Sequence, residues 1–439
     1  MTHVLIELTV IIAFARLGGL AFKAIGQPVV CGEIAAGLIL GPSLLGGLFP
    51  GLSASVFSEQ TNEAFTVLSQ IGLILLLFLI GIDFEFRHLR AHRGKPIAIS
   101  AVGISVPFAL GLALGLLMHS TVAPSIPKFT FALFIAMALS ITALPILGRI
   151  MIEFGLNKTP LGVLTITSAA LDDAIGWTLL AFIVGIAKSH ADVGRALLMA
   201  LETIVYAAVL FGPVRPLIIR WAKSAMRRGE GRIKQTDFAL LLVLLLGSSL
   251  ITNQIGIFSI FGAFMFGAVL SSEEEFRDAV LARLNDFVAV FFLPIFFTYT
   301  GLRTDIGSMS GLALWGFCGL VIAAGIVGKL GGCTLAARAT GLPWRDASMV
   351  GVMMNTRALM ALIVVNVGLE AGILNKSAFF MLVAMAVVTT YMTAPLLRRL
   401  LARAPAESLA RVPTSAAGIG DGGLVPGPVL AAATGSAGS

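Results

Sequence analysis

Charge is what this sequence has least of. Of 439 residues, 30 are Lys or Arg and 23 are Asp or Glu, so only 12% are charged, against roughly 25% in soluble domains. With 57% hydrophobic residues, that shortage excludes a soluble globular chain and leaves a polytopic membrane protein. Cysteine is scarce too. Cys31, Cys318 and Cys333 all fall in apolar segments, and an odd count without short spacings excludes a disulfide framework or a zinc site. The five histidines, His3, His88, His92, His119 and His190, sit near segment ends or in loops, which argues against a buried His-ligated metal. No basic region precedes the first apolar run from Met1 to Ile11, so a cleaved leader is not expected.

What the chain has in abundance is long apolar runs. Read against breaks of Gly, Pro and charge, they predict an all-α protein of thirteen membrane helices near 4–23, 29–48, 65–82, 96–118, 130–151, 160–187, 196–221, 237–253, 257–271, 286–302, 311–337, 346–368 and 377–401. The longest basic connection, Arg215 to Lys234, follows the seventh. One alternate set of connections, with the C-terminus, holds twenty-two Lys and Arg, and the opposite set holds five: Lys128, Lys188, Arg195, Arg303 and Lys376. Basic residues are retained on the cytoplasmic side, which predicts an outside N-terminus and a cytoplasmic C-terminus in the cell (inner) membrane. The net charge of +7 then follows from this asymmetry and from anionic lipid headgroups, and no nucleic acid is expected as a partner.

Charge inside the runs is the informative exception. Asp172 and Asp173 lie near the middle of the apolar run Leu161 to Ala187. An acid at a helix centre costs about +2.5 to +3.5 kcal/mol on insertion scales, so intramembrane acids mark ion or proton paths. Adjacent residues on a helix point about 100° apart, so the two cannot serve one face: one is expected at a wet cavity, the other at a buried partner. Lys329, within Gly325-Ile-Val-Gly-Lys-Leu-Gly-Gly332, needs such a partner. The alternatives are either aspartate or snorkelling to the interface. Arg357 lies closer to mid-span and reads as a structural charge offsetting the negative ends of broken half-helices. Arg16 and Glu33 read as packing or snorkelling residues near span ends. Gly37 and Gly41 suit close helix approach.

Thirteen spans with a basic connection in the middle suggest two inverted six-helix repeats joined by a linker helix. Two interruptions fall seven spans apart. The fifth span breaks at Ser140-Ile-Thr-Ala-Leu-Pro145, where proline removes a donor, and the twelfth at Asn355-Thr-Arg357. Paired discontinuous helices point to a transport site, because freed carbonyls can bind a cation. From Arg403 on, the Ala, Gly, Pro and Ser content reads as a disordered tail. Its Gly418-Ile-Gly-Asp-Gly-Gly423 matches a dinucleotide pattern only formally, since no strand precedes it and no helix follows.

Taken together, Gly26 to Ser43, Leu76 to Gly81, Thr142 to Arg149, Asp172-Asp-Ala-Ile-Gly-Trp177, Leu293 to Arg303, Met354-Asn-Thr-Arg357 and Leu362 to Asn366 resemble the second branch of the bacterial monovalent cation:proton antiporters, sodium/proton antiporter-like proteins related to plant cation/proton exchangers. The resemblance implies a transmembrane domain over 1–403 with two crossing discontinuous helices. It implies dimerisation helices at about 4–82 and 237–302, core helices at about 96–187 and 311–401, a linker helix at about 196–221, and a tail over 404–439. It implies a homodimer exchanging protons for Na+ or K+ by alternating access, electrogenic, with no enzymatic activity, no cofactor and no nucleotide-binding domain. Asp173 would bind cation and proton alternately, Asp172 would pair with Lys329, and Thr142 would line the site. Ser140, Pro145, Asn355, Thr356 and Arg357 would support the broken helices. Ala358 replaces the family's usual glycine, and Ala361 stands where plant-type members often have glutamate. A cation channel or solute symporter on the same scaffold is the main alternative. An intramembrane aspartyl protease is remote, because its two acids come from different helices and share one water, whereas these two are adjacent.

Overall fold

The structure is a computed structural model that describes residues 2–402 apart from 28, 42–43, 50, 52–56, 58–61, 84–93, 157–158 and 189–192. The expected tail over 404–439 and the basic residues Arg87, Arg90, Arg93, Lys158, Arg403 and Arg411 lie outside the described residues. Helices run in the order α1 Thr2–Ala24, α2 Val29–Leu40, α3 Asn62–Ile82, α4 Lys95–Val122, α5 Lys128–Ser140, α6 Leu144–Glu153, α7 Pro160–Lys188 and α8 Val193–Val209. They continue with α9 Arg215–Arg228, α10 Gln235–Ile255, α11 Ser259–Leu270, α12 Glu274–Phe287, α13 Leu293–Leu302, α14 Leu312–Ile326, α15 Gly332–Ala339, α16 Trp344–Met354, α17 Ala358–Glu370 and α18 Lys376–Leu401. Three five-residue π segments, Leu210–Val214, Val288–Phe292 and Val327–Gly331, join α8 to α9, α12 to α13 and α14 to α15. Among the described residues there is no strand.

Eleven of these stretches are long and apolar enough to cross a membrane, and α5 and α11 add shorter apolar helices. Among the described residues eleven of the thirteen expected spans are thus long enough to cross, the fifth and ninth correspond to the two shorter apolar helices, and the chain is a multi-pass membrane protein. Two boundaries move. The basic connection expected from Arg215 to Lys234 is helical as far as Arg228, and the tenth span begins at Glu274 rather than near 286. Both shifts have one cause: Arg, Lys and Glu mark where a helix leaves lipid, yet they are good helix formers and do not end it.

Both breaks fall where the sequence places them, between α5 and α6 and between α16 and α17. Pro145 is not within the gap. It is the second residue of α6, where the missing N–H would have had no helical partner anyway. The unwound residues are Ile141, Thr142 and Ala143.

By compactness the chain divides into two units. Among the described residues, the first gathers 2–61, 94–180 and 297–402, and the second 62–83 and 181–296. In the first unit α2 meets α13 backbone to backbone: a Cβ on Gly37 would lie 2.1 Å from the Thr298 carbonyl oxygen. In the second, α3 and α11 make the same kind of contact through Gly81 against Phe264 and Gly267 against Phe78. Small residues permit this approach, which supplies the van der Waals contact that holds helices together in lipid.

Candidate functional site

The site is built in the first unit, where α7 passes the two breaks. Asp172 accepts three hydrogen bonds. Ser100 Oγ donates to Oδ1 at 2.5 Å, while Thr142 Oγ1 and Lys329 Nζ donate to Oδ2 at 2.9 and 2.5 Å. Lys329 is fully buried, and its ammonium has three protons to place. Besides Asp172 it donates to the carbonyls of Ser140 at 2.5 Å and Gly103 at 2.9 Å, so every proton has an acceptor and snorkelling is ruled out.

The carbonyls that hold these cations are ones the helices cannot use themselves. Pro107 lies inside α4 and has no N–H for the carbonyl four residues back, which is that of Gly103. Ser140 ends α5, and Leu139 precedes it, so both carbonyls belong to the orphan set of a helix C-terminus. Arg357, also fully buried, donates through Nη1 to Leu139 O and through Nη2 to Gly325 O at 2.6 Å. Gly325 lies in the last turn before the π segment Val327–Gly331 that carries Lys329, where the regular ladder is interrupted. Each buried cation therefore neutralises partial negative charge left by a break, a proline or a π turn.

The two breaks touch. Ala143 N donates to Thr356 O at 2.8 Å, and Thr142 Oγ1 lies 3.4 Å from Met354 O. Thr390 Oγ1 accepts from the backbone N–H groups of Arg357 and Ala358 at 3.2 and 2.9 Å, satisfying donors at the start of α17. Thr356 Oγ1 donates to Thr393 Oγ1 at 3.3 Å.

Asp173 faces elsewhere, as the 100° rotation between neighbours requires. Its side chain is 1% exposed and lies among Ile141, Gly176, Trp177, Met360 and Val364, in a gap too narrow to admit a water molecule. Neither carboxylate oxygen has a hydrogen-bond partner among the described residues. Two neighbouring acids thus have opposite settings: Asp172 is saturated and paired, Asp173 is buried with its acceptors free. Counted as ionised, Asp172, Asp173, Lys329 and Arg357 sum to zero.

Of the residues singled out in the sequence, Asp172, Thr142, Lys329 and Ser140 form one cluster, and Thr356 and Arg357 complete the opposite break. Pro145 stands apart at the start of α6. Asn355 is 1% exposed with both amide atoms lacking a partner among the described residues. Sequence reasoning missed Ser100, the Gly103 carbonyl and Thr390. Pro107 was the available signal for Gly103, since a proline within a membrane helix names the carbonyl it frees.

Comparison with known proteins agrees with this architecture. Residues 9–402 match the family described as "Sodium/hydrogen exchanger, transmembrane". The Na(+)/H(+) antiporter NhaS4 of Synechocystis sp. is 40% identical over 397 residues, covering 90% of this chain and 96% of that protein. Cation/H(+) antiporter 18 of Arabidopsis thaliana is 33% identical over 89% of this chain, which spans only 48% of that longer protein. The solved structure of the sodium proton antiporter MjNhaP1 from Methanocaldococcus jannaschii at pH 8 superposes with a TM-score of 0.61 over 90% of this chain and 95% of that one. At 14% identity that likeness is one of fold. The motif resemblance, the broken-helix crossing and the match over nearly the whole membrane region converge: the chain belongs to the transmembrane sodium/hydrogen exchanger family.

Proposed function

We propose that the chain exchanges protons for a monovalent cation, Na+ or K+, by alternating access, with Asp173 as the group that binds the two in turn. The observation that carries this reading is the buried Asp173 carboxylate with two free acceptors, set beside an Asp172 that Lys329 has already neutralised. An acceptor-rich anion in that setting binds either a proton or a partly dehydrated cation, and not both. Loading one then requires release of the other, which is the coupling an antiporter needs. Thr142 holds Asp172 and the break in register. Lys329 gives the exchange a second proton: if cation entry draws Asp172 away, the ammonium loses its anionic partner and can deprotonate. Two protons then move against one cation, and exchange is electrogenic.

The same proposal includes a homodimer in the cell (inner) membrane; for the orientation, N-terminus outside and C-terminus in the cytoplasm, the support is the twenty-two to five distribution of Lys and Arg. It includes motion of core helices at 96–187 and 311–401 against dimerisation helices at 4–82 and 237–302, linked by 196–221. Relatives named for Na(+)/H(+) and, in Saccharomyces cerevisiae, for K(+)/H(+) antiport support either cation.

The test is transport in proteoliposomes with an internal pH dye, adding sodium, potassium and lithium in turn. Proton movement driven by an opposing cation gradient is expected for at least one of them. A cation flux without proton counter-movement would replace antiport by a channel.

A further inference from the structure

The half-helix α17, from Ala358 to Glu370, carries two polar side chains, Asn366 and Glu370. Four residues apart, they share one face of the helix, and both are joined to the end of α13. Asn366 Nδ2 donates to Thr300 Oγ1 at 2.8 Å, with both residues buried. One turn further on, Arg303, which follows α13, donates through Nη1 to Glu370 Oε1 at 3.4 Å in a partly exposed ion pair. On the orientation proposed above, α13 and α17 both end at the outer face.

The opposite face of α17 walls the site. Met360 and Val364 lie against Asp173, and Asn366 is about 200° round the helix from Val364. So α17 stands between Asp173 and α13 and is held from behind at its outer end. The other side of α13 is fixed in a different way. A Cβ on Gly301 would lie 2.5 Å from the Ile34 carbonyl oxygen and 2.8 Å from the Gly37 Cα, and one on Gly37 would lie 2.1 Å from the Thr298 carbonyl oxygen. There α13 packs on α2 backbone to backbone, contact that is lost if either helix shifts. Toward α17 it is bridged by side chains, which can let go and re-form. This makes α13 a helix that travels with α2 and parts from α17. At the inner ends the contact between the same proposed moving parts is weaker, since Arg398 Nη2 reaches the Gly26 carbonyl at 3.5 Å in an exposed position.

We infer that Asn366 and Glu370 latch α17 to α13 on the outer side, and that this latch must open before Asp173 can face the outside. Its part in transport rests on the alternating-access reading; its existence as a closure does not, so the two are read separately. The probe is a small membrane-impermeant cation, a trimethylammonium-ethyl methanethiosulfonate, added outside intact cells that carry the full chain with Val364→Cys. Val364 is 1% exposed. The native Cys31, Cys318 and Cys333 are buried, and attachment is read at residue 364 itself by mass spectrometry of its peptide. Thr300→Val keeps the branched shape without the hydroxyl and leaves Asn366 its bond to the Leu362 carbonyl at 2.9 Å. Combined with Glu370→Gln it unfastens both ties.

The unlatched chain should label about ten times faster than the latched one, a shift equivalent to about 1.4 kcal/mol in the balance between closed and open. Glu370→Gln alone should give a smaller increase, about threefold, and serves if the double variant does not fold. Reversing the pair, Arg303→Glu with Glu370→Arg, should return labelling toward the slow rate, which general damage to packing does not do. In exchange measurements the half-saturating cation concentration on the outer side should fall as the outward-open fraction rises. Labelling that stays at the latched rate in both unlatched variants, or is absent throughout, would overturn the latch even in a protein that exchanges normally. Faster labelling in a chain that shows no proton-coupled exchange would keep the latch and sink the antiport reading.

Discussion

At the scale of single residues, the four charges at the crossing differ in how far their neighbours satisfy them: Asp172 and Lys329 are paired throughout, Arg357 uses both Nη atoms but leaves Nε without a partner, and Asp173 has no partner among the described residues. Asp173 gives up no hydrogen bond when it becomes an amide, because it makes none among the described residues, and Asp173→Asn also removes a buried anion. Exchange in proteoliposomes should vanish while Tm stays at or above the wild-type value. Lys329 is the opposite case. Removing one member of a buried pair leaves the other uncompensated, a loss of about 3–5 kcal/mol, whereas replacing both is tolerated far better. Lys329→Met should therefore lower the Tm of the purified protein more than the double variant Asp172→Asn with Lys329→Met, and an equal drop would mean that the pair is not what holds Lys329 in place. The carboxylates and both cations were legible in the sequence because a charge in an apolar run stands out by its cost. Their partners were not. Ser100 and Thr390 are ordinary hydroxyl residues in long helices, and only folding brings them to Asp172 and to the start of α17.

At the scale of elements, the breaks were legible in the sequence but their edges were not. Pro145 drew the fifth-span gap toward itself, although a proline is as much a helix-starting residue as a breaking one, and the unwound stretch is Ile141 to Ala143. The π segments left no pattern to read, since one extra residue per turn does not disturb an already uniformly apolar run. Close approach was better marked. The α2–α13 contact leaves no space at Gly37, whose neighbours there are backbone atoms of Thr298 and Gly301 and so cannot swing aside as a side chain could. Gly37→Ala should cost about 1–3 kcal/mol, seen as a lower Tm in detergent. Gly185, against which nothing lies within 4 Å, provides the matched control, and Gly185→Ala should leave Tm unchanged or raise it. A Gly37→Ala protein as stable as the control would mean that the helices can separate at no cost.

At the scale of the whole molecule, thirteen spans could be counted from the sequence because bilayer thickness sets their length. The grouping of helices into compact units could not, because contacts between distant spans leave no trace in hydropathy. Charge balance is the property that belongs to this scale. With Asp173 alone exchanging one cation for one proton, the site returns to the same charge and voltage does no work on the cycle. With Lys329 contributing a second proton, one net charge crosses per cycle, and 100 mV biases it by about 2.3 kcal/mol. In liposomes clamped with a non-transported ion, the exchange rate of the wild type should respond to voltage, and any exchange left in the Asp172→Asn, Lys329→Met double variant should not. A wild-type rate indifferent to voltage at more than one pH would rule out the two-proton scheme. The bond from Ala143 N to Thr356 O carries a further consequence. That amide belongs to no helix, yet it is closed by a segment more than two hundred residues away, so it can trade its proton for deuterium only when the two unwound strands part. In deuterium-exchange mass spectrometry it should be protected like the interior of a helix, and its rate then clocks separation of the crossing itself. Should the crossing travel intact between the two faces of the membrane, that clock will run no faster in a protein turning over than in one at rest.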